Sequence, residues 1–128
     1  MIYKSYRDLD IYNKAHKLAI EIHEMSSKLP KFELYEEGSQ IRKSSKSVKN
    51  NIVEGFGRRR YKQEFIKFLT YSIASCDETR GHLDTLYETK SLNNTEKYEY
   101  FCEEYDHLGK MISNFIKSVA GGHKTRII

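Results

Sequence analysis

The sequence predicts an all-α protein: a single domain, residues 1–128, folded as an antiparallel up-down-up-down four-helix bundle. Four segments carry apolar residues at alternating spacings of three and four, and none alternates with period two. One proline and seven glycines are few for the tight turns that a multi-stranded sheet needs. Because amphipathic helices with short loops pack most simply as a bundle, we expect helices over about 8–28, 33–55, 60–90 and 94–119, then a flexible tail at 121–128.

Each of the first two helices has one apolar stripe. The first stripe contains Ile11, Ala15, Leu18, Ile22, Met25 and Leu29. Asp8 is suited to cap this helix, and Pro30 ends it because proline disfavours helical geometry in the preceding residue. The second stripe contains Ile41, Ser45, Val48, Ile52 and Phe56. Its small residue allows a neighbouring helix to approach closely, and Gly55 and Gly57 are expected to form the following turn.

The third and fourth helices are longer. Their stripes contain Phe65, Phe68, Leu69, Ser72, Cys76, Thr79, Leu83, Leu86 and Tyr87, and then Phe101, Tyr105, Leu108, Ile112, Phe115 and Val119. Gly81 lies within the third helix, where glycine costs about 1 kcal/mol relative to alanine. Asn94 or Thr95 is expected to cap the fourth helix, and Gly121-Gly122 to end it.

The composition narrows the functional classes. The net charge of +4 is too small to indicate a nucleic-acid partner by itself. Cys76 and Cys102 lie in helical patterns without metal-type spacing, which predicts reduced thiols. The amino terminus has no apolar signal core, and no stretch approaches the ~20 apolar residues of a membrane span. We therefore expect a soluble, cytoplasmic protein with no membrane association.

Residues 39–58 carry a resemblance to a known family. They read SQIRKSSKSVKNNIVEGFGR, which resembles the signature of the 23S rRNA intervening-sequence proteins. Its most specific part is a motif formed by Asn51, Glu54, Gly55, Phe56, Gly57 and Arg58. Further matches lie at 6–9, 14–16, 64–65, 68–69 and 74–78, so the resemblance covers about residues 6 to 119. Lys49 replaces a proline usual in the family, which should leave the second helix straighter, and 37–39 also depart from its pattern.

The resemblance implies a four-helix bundle that assembles as a homopentamer. Some members of the family are encoded within insertions in bacterial ribosomal RNA genes. The family is also similar to the accessory variability determinant of diversity-generating retroelements, a basic pentamer that binds nucleic acid and a reverse transcriptase. Fold and assembly are therefore implied more firmly than any activity.

Basic residues are concentrated around the second helix. Residues 39–70 contain nine Lys and Arg and two acids, a net charge of +7, which leaves −3 for the remainder. The candidate phosphate-binding residues are Arg42, Lys43, Lys46, Lys49, Arg58, Arg59, Arg60 and Lys62. Three of them, Arg42, Lys46 and Lys49, share one helical stripe at i, i+4 and i+7.

The run Arg58-Arg59-Arg60 is predicted at the start of the third helix. Cations are unfavourable there by about 0.3–1 kcal/mol each, because the helix dipole is positive at that end. A chain that tolerates this arrangement is expected to use the cluster and free backbone N–H groups to hold an anion. Pairing with acids of a neighbouring subunit, or a merely solvated turn, are the alternatives.

Other polar residues favour structural interpretations. Glu54 is expected to pair with Arg58 at i+4, and Glu78 with His82. His16 and His23 are seven residues apart, unlike the usual zinc pairs, and are expected to pack against another helix or subunit. Apolar surface beyond one monomer's core is indicated by Tyr12, Tyr61, Tyr71, Tyr98 and Tyr100, with Ile66 and Ile73. Such surface usually marks an interface, which favours a homo-oligomer.

Three functional hypotheses follow. The first is a non-catalytic, oligomeric bundle that binds RNA through its basic surface. The second is a scaffold whose exposed tyrosines recruit a protein such as a polymerase. An enzyme is disfavoured, because no phosphate-binding loop, nucleophile elbow or paired metal-ligand motif occurs, and no cofactor or metal is expected.

Overall fold

Four long helices form the body of the protein. The structure is a computed structural model that describes residues 2–122 and 126–127. Its helices are α1 (Asp10–Ser26), α2 (Glu37–Gly57), α3 (Lys62–Glu88) and α4 (Thr95–Gly121). Each helix packs on the one that follows it, and α1 also contacts α4. The predicted four-helix bundle is confirmed, although each helix boundary shifts by one to four residues.

The starts of α1 and α2 differ from the prediction because a short 3-10 helix precedes each. The first 3-10 helix is Tyr6–Asp8, and the Asp8 carboxylate accepts hydrogen bonds from the backbone N–H groups of Lys4 (2.9 Å) and Ser5 (3.1 Å). Asp8 therefore caps this turn, and its predicted role as the cap of α1 is wrong. The second 3-10 helix is Lys31–Leu34, which delays the start of α2 to Glu37.

The two ends of the chain meet in a short strand pair that the sequence pattern did not predict. Strand β1 (Ile2–Tyr3) pairs in parallel with β2 (Arg126–Ile127). Within the predicted flexible tail, residues 126–127 are paired, and 123–125 and 128 lie outside the described residues. Gly121 is the last residue of α4, and Gly122 ends the helix with a φ of 69°, as its lack of a Cβ allows.

The predicted stripes form the core. Most of their members are buried, and the four half-buried ones are Leu29, Phe68, Tyr87 and Phe115. Ile66 and Ile73, expected on an interface, are half-buried and pack against this core. The apolar periodicity therefore identified the buried side of every helix, because burial of one face is what stabilises an amphipathic helix.

A polar seam joins α2 to α3. The Ser72 hydroxyl donates to the Val48 carbonyl oxygen (2.6 Å). Nearby, Ser44 shares a hydrogen bond with Thr79 (2.9 Å), and Ser47 shares one with Ser75 (2.9 Å). These small side chains let the two helices approach closely while every hydroxyl in the seam has a partner, which avoids the cost of burying an unpaired polar group.

Gly55 serves helix packing and does not form the predicted turn. It is buried within α2, and a Cβ built on it would lie 3.0 Å from the Phe68 Cβ and 3.3 Å from the Phe65 carbonyl oxygen. Gly57 is the last residue of α2, and a Cβ there would have no heavy atom within 4 Å. Only Gly55 is therefore required by the approach of α3.

Glu33 is a buried anchor that the sequence did not reveal. Only 3% of its surface is exposed. Its carboxylate accepts hydrogen bonds from the backbone N–H of Glu37 (3.0 Å) and from the Ser91 hydroxyl (2.6 Å). The side chain thus satisfies a free N–H at the start of α2 and ties that start to the α3–α4 loop.

We expect Gly55→Val to destabilise the protein by about 1–3 kcal/mol, because overpacking would push α3 away from α2. The matched control is Gly57→Val, which should change the free energy of unfolding by less than about 0.5 kcal/mol. Urea denaturation followed by circular dichroism measures both. Equal stability of the two variants would show that α3 does not constrain Gly55.

We also expect Glu33→Ala to lower the free energy of unfolding by about 1–3 kcal/mol, because two donors lose their acceptor in a buried place. Glu36→Ala removes an exposed carboxylate three residues away and is the control. Thermal denaturation of both proteins at one pH compares them, and a similar small change in both would refute the anchoring role of Glu33.

Candidate nucleic-acid interface

The three predicted lysines of α2 lie on its solvent side. Lys43 and Lys46 are exposed and Lys49 is half-buried. None of them forms an ion pair with any residue in the described part of the chain. Because the opposite face of α2 is buried against its neighbours, these ammonium groups are left toward solvent.

Arg42 shares their stripe but is used inside the protein. Its Nη2 donates to the Leu34 carbonyl oxygen (2.7 Å), and its Nη1 donates to the Ser26 hydroxyl (3.1 Å). The half-buried guanidinium thus joins α2 to the end of α1 and to the second 3-10 helix. The structure therefore separates Arg42 from the other predicted phosphate-binding residues.

Arg58 is paired with the two acids of the basic region. Its guanidinium contacts the carboxylates of Glu54 (2.9 Å) and Glu64 (3.1 Å) and lies over the Phe68 ring, 4.8 Å from the centroid. The predicted pair with Glu54 is confirmed. The hydrogen bond to Glu54, followed by the charges of both acids, raises the pKa of Arg58 above its ordinary value despite some desolvation. Both acids thus pair with Arg58, and Glu64 also pairs with Lys67 (3.7 Å).

The predicted position of the arginine run at the start of α3 is wrong, because α3 begins only at Lys62. Arg58 is the residue that caps the carboxyl end of α2, where the dipole favours cations. The backbone N–H groups of Arg58, Arg59 and Tyr61 donate to carbonyl oxygens within the turn. These three N–H groups are therefore not free to bind an anion.

The rest of the turn exposes positive charge. Arg59 is half-buried, with its guanidinium carbon 4.0 Å above the Phe56 ring centroid and its Nη1 donating to the Phe56 carbonyl oxygen (3.0 Å). Arg60 and Lys62 are exposed. None of these three cations has an ion-pair partner among residues 2–122. We define the basic surface as Lys43, Lys46, Lys49, Arg59, Arg60 and Lys62.

The motif at 51–58 has structural contacts at most of its positions. The Asn51 amide donates to the carbonyl oxygen (3.0 Å) and hydroxyl (3.1 Å) of Ser47, which belongs to the polar seam. Phe56 is buried under Arg59, and Gly55 and Glu54 have the contacts described above. The motif therefore maintains the geometry at the end of α2 on which the basic surface is displayed.

The histidines behave differently from one another. His16 and His23 are exposed on α1, and the His16 ring stacks on Tyr12, with centroids 5.6 Å apart. The expected contact of His82 with Glu78 is confirmed at 3.3 Å. A shorter contact, 2.6 Å from His82 Nδ1 to a Glu37 carboxylate oxygen, links α3 to the start of α2 and was missed because the partners are 45 residues apart.

Exposed apolar residues lie partly where they were predicted. Tyr61 is 63% exposed and Tyr71 is 45% exposed. By contrast, Tyr98 is half-buried, stacks on Tyr87 and donates to Asp84 (2.6 Å). Tyr12 is half-buried too. Tyr100 is 38% exposed, as predicted, and donates to Glu21 (2.9 Å); desolvation, followed by this hydrogen bond and the nearby negative charge, raises its pKa to about 12.

Sequence reasoning missed a second exposed apolar group in the second 3-10 helix and the residue after it. Phe32 is 59% exposed, Leu34 is 54% exposed and Tyr35 is 85% exposed. Leu34 and Tyr35 fall within the predicted second helix (33–55), and Phe32 precedes it. A short irregular segment has no periodicity from which exposure can be predicted.

Groups with reactive potential are shielded or structurally engaged. Burial raises the pKa of Cys76 to about 12. Burial also raises the pKa of Cys102, although Arg80, whose Nη1 lies 2.8 Å from the sulfur, acts in the opposite direction. Within the described residues, no three His, Cys, Asp or Glu side chains cluster as metal ligands would. In the same residues, no helix combines the length and apolar character needed to cross a membrane.

Comparisons with known proteins agree with this architecture. The sequence model of a family described as 23S rRNA-intervening sequence protein matches residues 7–114. A crystal structure of a protein of unknown function from the S23 ribosomal protein family of Bacteroides thetaiotaomicron VPI-5482 superposes with a TM-score of 0.72. The match has 24% sequence identity and covers 84% of this chain and 98% of that one, and at this identity it shows the fold. A search of curated proteins found no relative.

We expect Arg42→Ala to lower the free energy of unfolding by about 1–3 kcal/mol, because the Leu34 carbonyl and the Ser26 hydroxyl both lose a charged donor. Lys43→Ala removes the neighbouring cation, which has no such contacts, and should change stability by less than about 0.5 kcal/mol. Chemical denaturation distinguishes the two. A larger loss for Lys43→Ala would contradict the structural role assigned to Arg42.

Proposed function

Because the chain belongs to the 23S rRNA-intervening sequence protein family, we propose that it is a non-catalytic, oligomeric bundle that binds RNA or another nucleic acid through its basic surface. One observation carries this proposal. The two acids near the cluster, Glu54 and Glu64, are both engaged by Arg58. The six cations of the basic surface have no ion-pair partner in the described chain.

Such a surface would bind nucleic acid through contacts to its phosphates. Lysine and arginine side chains release condensed counterions when they bind a nucleic-acid backbone, so affinity depends on charge and on salt. In the part of the chain that the structure describes, no strand or helix resembles an element that reads base edges. Binding would therefore be largely independent of sequence.

Assembly would strengthen these weak contacts. A ring of five copies, implied by the family resemblance, would present the basic surface five times and raise the effective concentration at each further contact. The exposed Tyr61, Tyr71 and second 3-10 helix supply apolar area for subunit contacts. Such a particle would act on cytoplasmic RNA.

We infer that the protein catalyses no reaction. Glu54 is committed to an ion pair with Arg58, and the raised pKa values keep the thiols of Cys76 and Cys102 protonated at neutral pH. A carboxylate or thiol in such surroundings is a poor base or nucleophile.

A protein scaffold is the second candidate function. The apolar group formed by Phe32, Leu34 and Tyr35 favours it, because three neighbouring exposed apolar side chains commonly mark a protein contact. A partner such as a reverse transcriptase would then bind there, and the basic surface would serve contacts between subunits.

The proposal predicts salt-dependent binding that weakens when the basic surface is neutralised. The test variant combines Lys43→Gln, Lys46→Gln, Arg60→Gln and Lys62→Gln. The control removes the same charge from exposed lysines elsewhere, with Lys17→Gln, Lys28→Gln, Lys110→Gln and Lys117→Gln. Anisotropy of a labelled single-stranded RNA, measured from about 50 to 200 mM salt, reports affinity. The slope of log affinity against log salt should fall in magnitude by about 0.7 for each lost phosphate contact.

Two results would count against this function. Equal loss of affinity in the test and control variants would mean that net charge matters and the basic surface does not. Failure of the unmodified protein to bind RNA even at low salt, together with nuclease-resistant capture of a protein partner that Tyr35→Ser abolishes, would favour the scaffold.

A further inference from the structure

A groove between α1 and α2 adjoins the basic surface. Its volume is about 340 Å³, which lies within the range of sites for small molecules. The α1 side is formed by His16, Ile20 and His23, at i, i+4 and i+7, with the buried Ala19 beneath them. Ile20 is 47% exposed, so the groove offers apolar surface that the protein itself leaves uncovered.

The α2 side of the groove supplies positive charge. Lys46 and Lys49 line it, and the half-buried position of Lys49 places its aliphatic stem along the wall. One acid, Glu24, also lines the groove. Glu24 forms no ion pair with either lysine in the described structure, so both ammonium groups can meet an anion.

An aromatic surface is already in place beside the apolar residues. The rings of Tyr12 and His16 are nearly parallel, with an interplanar angle of 11°. His23 lies seven residues further along α1, about 10 Å away at 1.5 Å per residue. The imidazoles of His16 and His23, with Ile20 between them, thus line a stretch of the groove about as long as one nucleotide.

We propose that this groove holds one unpaired nucleotide of a single-stranded nucleic acid. Its phosphate would lie against Lys46 and Lys49, and its base against Ile20 and the imidazoles of His16 and His23. Aromatic and apolar side chains receive bases that are free of pairing, whereas a duplex keeps its bases stacked inside. The inference rests on the proposed function and adds to it a preference for single strands and a position for the base.

The test compares strands with and without bases. The probes are labelled single strands of the same length, one of adenosines and one of abasic sugar-phosphate, together with a duplex. The groove variant is Ile20→Ser with His23→Ser, which removes apolar surface without adding charge. The control is Ala120→Ser with His107→Ser, which changes an apolar residue and a histidine at exposed positions outside the groove.

The groove variant should lose about tenfold in affinity for the adenosine strand, the order expected when one base loses its stacking surface. Its affinity for the abasic strand and for the duplex should stay unchanged, and the control should bind all probes as the unmodified protein does. If the groove variant loses the same affinity for a deoxyadenosine strand, the groove accepts unpaired nucleotides of DNA and RNA alike. If it loses affinity for the RNA strand alone, the groove is specific for RNA.

Failures of the two proposals give different results. If the unmodified protein binds adenosine and abasic strands equally, the groove holds no base, while binding through the basic surface stands. If it binds no strand at all, the proposed function fails and the groove proposal fails with it. Light scattering on each variant completes the test. A changed oligomer mass in the groove variant would make the groove a subunit contact and overturn the proposal.

Discussion

The close approach of α2 to α3 is the constraint on which the arrangement of the molecule depends. This approach requires that Gly55 has no side chain and that the residues along the seam, such as Ser72 and Thr79, have small hydroxyl side chains. Because that side of α2 is occupied by α3 and the adjacent side by α1, the remaining side must face solvent. Long basic side chains occupy it, and their charge would be costly to bury anywhere else.

Charge on that solvent side is not evenly neutralised. Glu54 and Glu64 lie on either side of the turn and converge on one guanidinium, that of Arg58. This pairing, with Phe68 beneath it, holds the end of α2 against the start of α3. Arg60 and the lysines of α2 form no ion pair with any of the described residues.

Two polar anchors hold the segment between α1 and α2. Glu33 is buried and binds the start of α2, and Arg42 holds the Leu34 carbonyl. With its backbone fixed in this way, the segment presents Phe32 and Tyr35 to solvent. An exposed apolar group on a rigid support loses little conformational entropy on binding, which makes it suited to contacts between proteins or subunits.

The sequence by itself determined the fold class, the buried face of each helix and the Glu54–Arg58 pair, because helical periodicity and i, i+4 neighbours are local properties. Tertiary structure decided which cations are available. Arg42 lies on the same helical stripe as Lys46 and has the same charge, yet it donates to a carbonyl oxygen and to a hydroxyl of other segments. Glu33 is buried by partners that include one 58 residues away. Contacts between distant segments leave no trace in local spacing, so only the packed helices could reveal them.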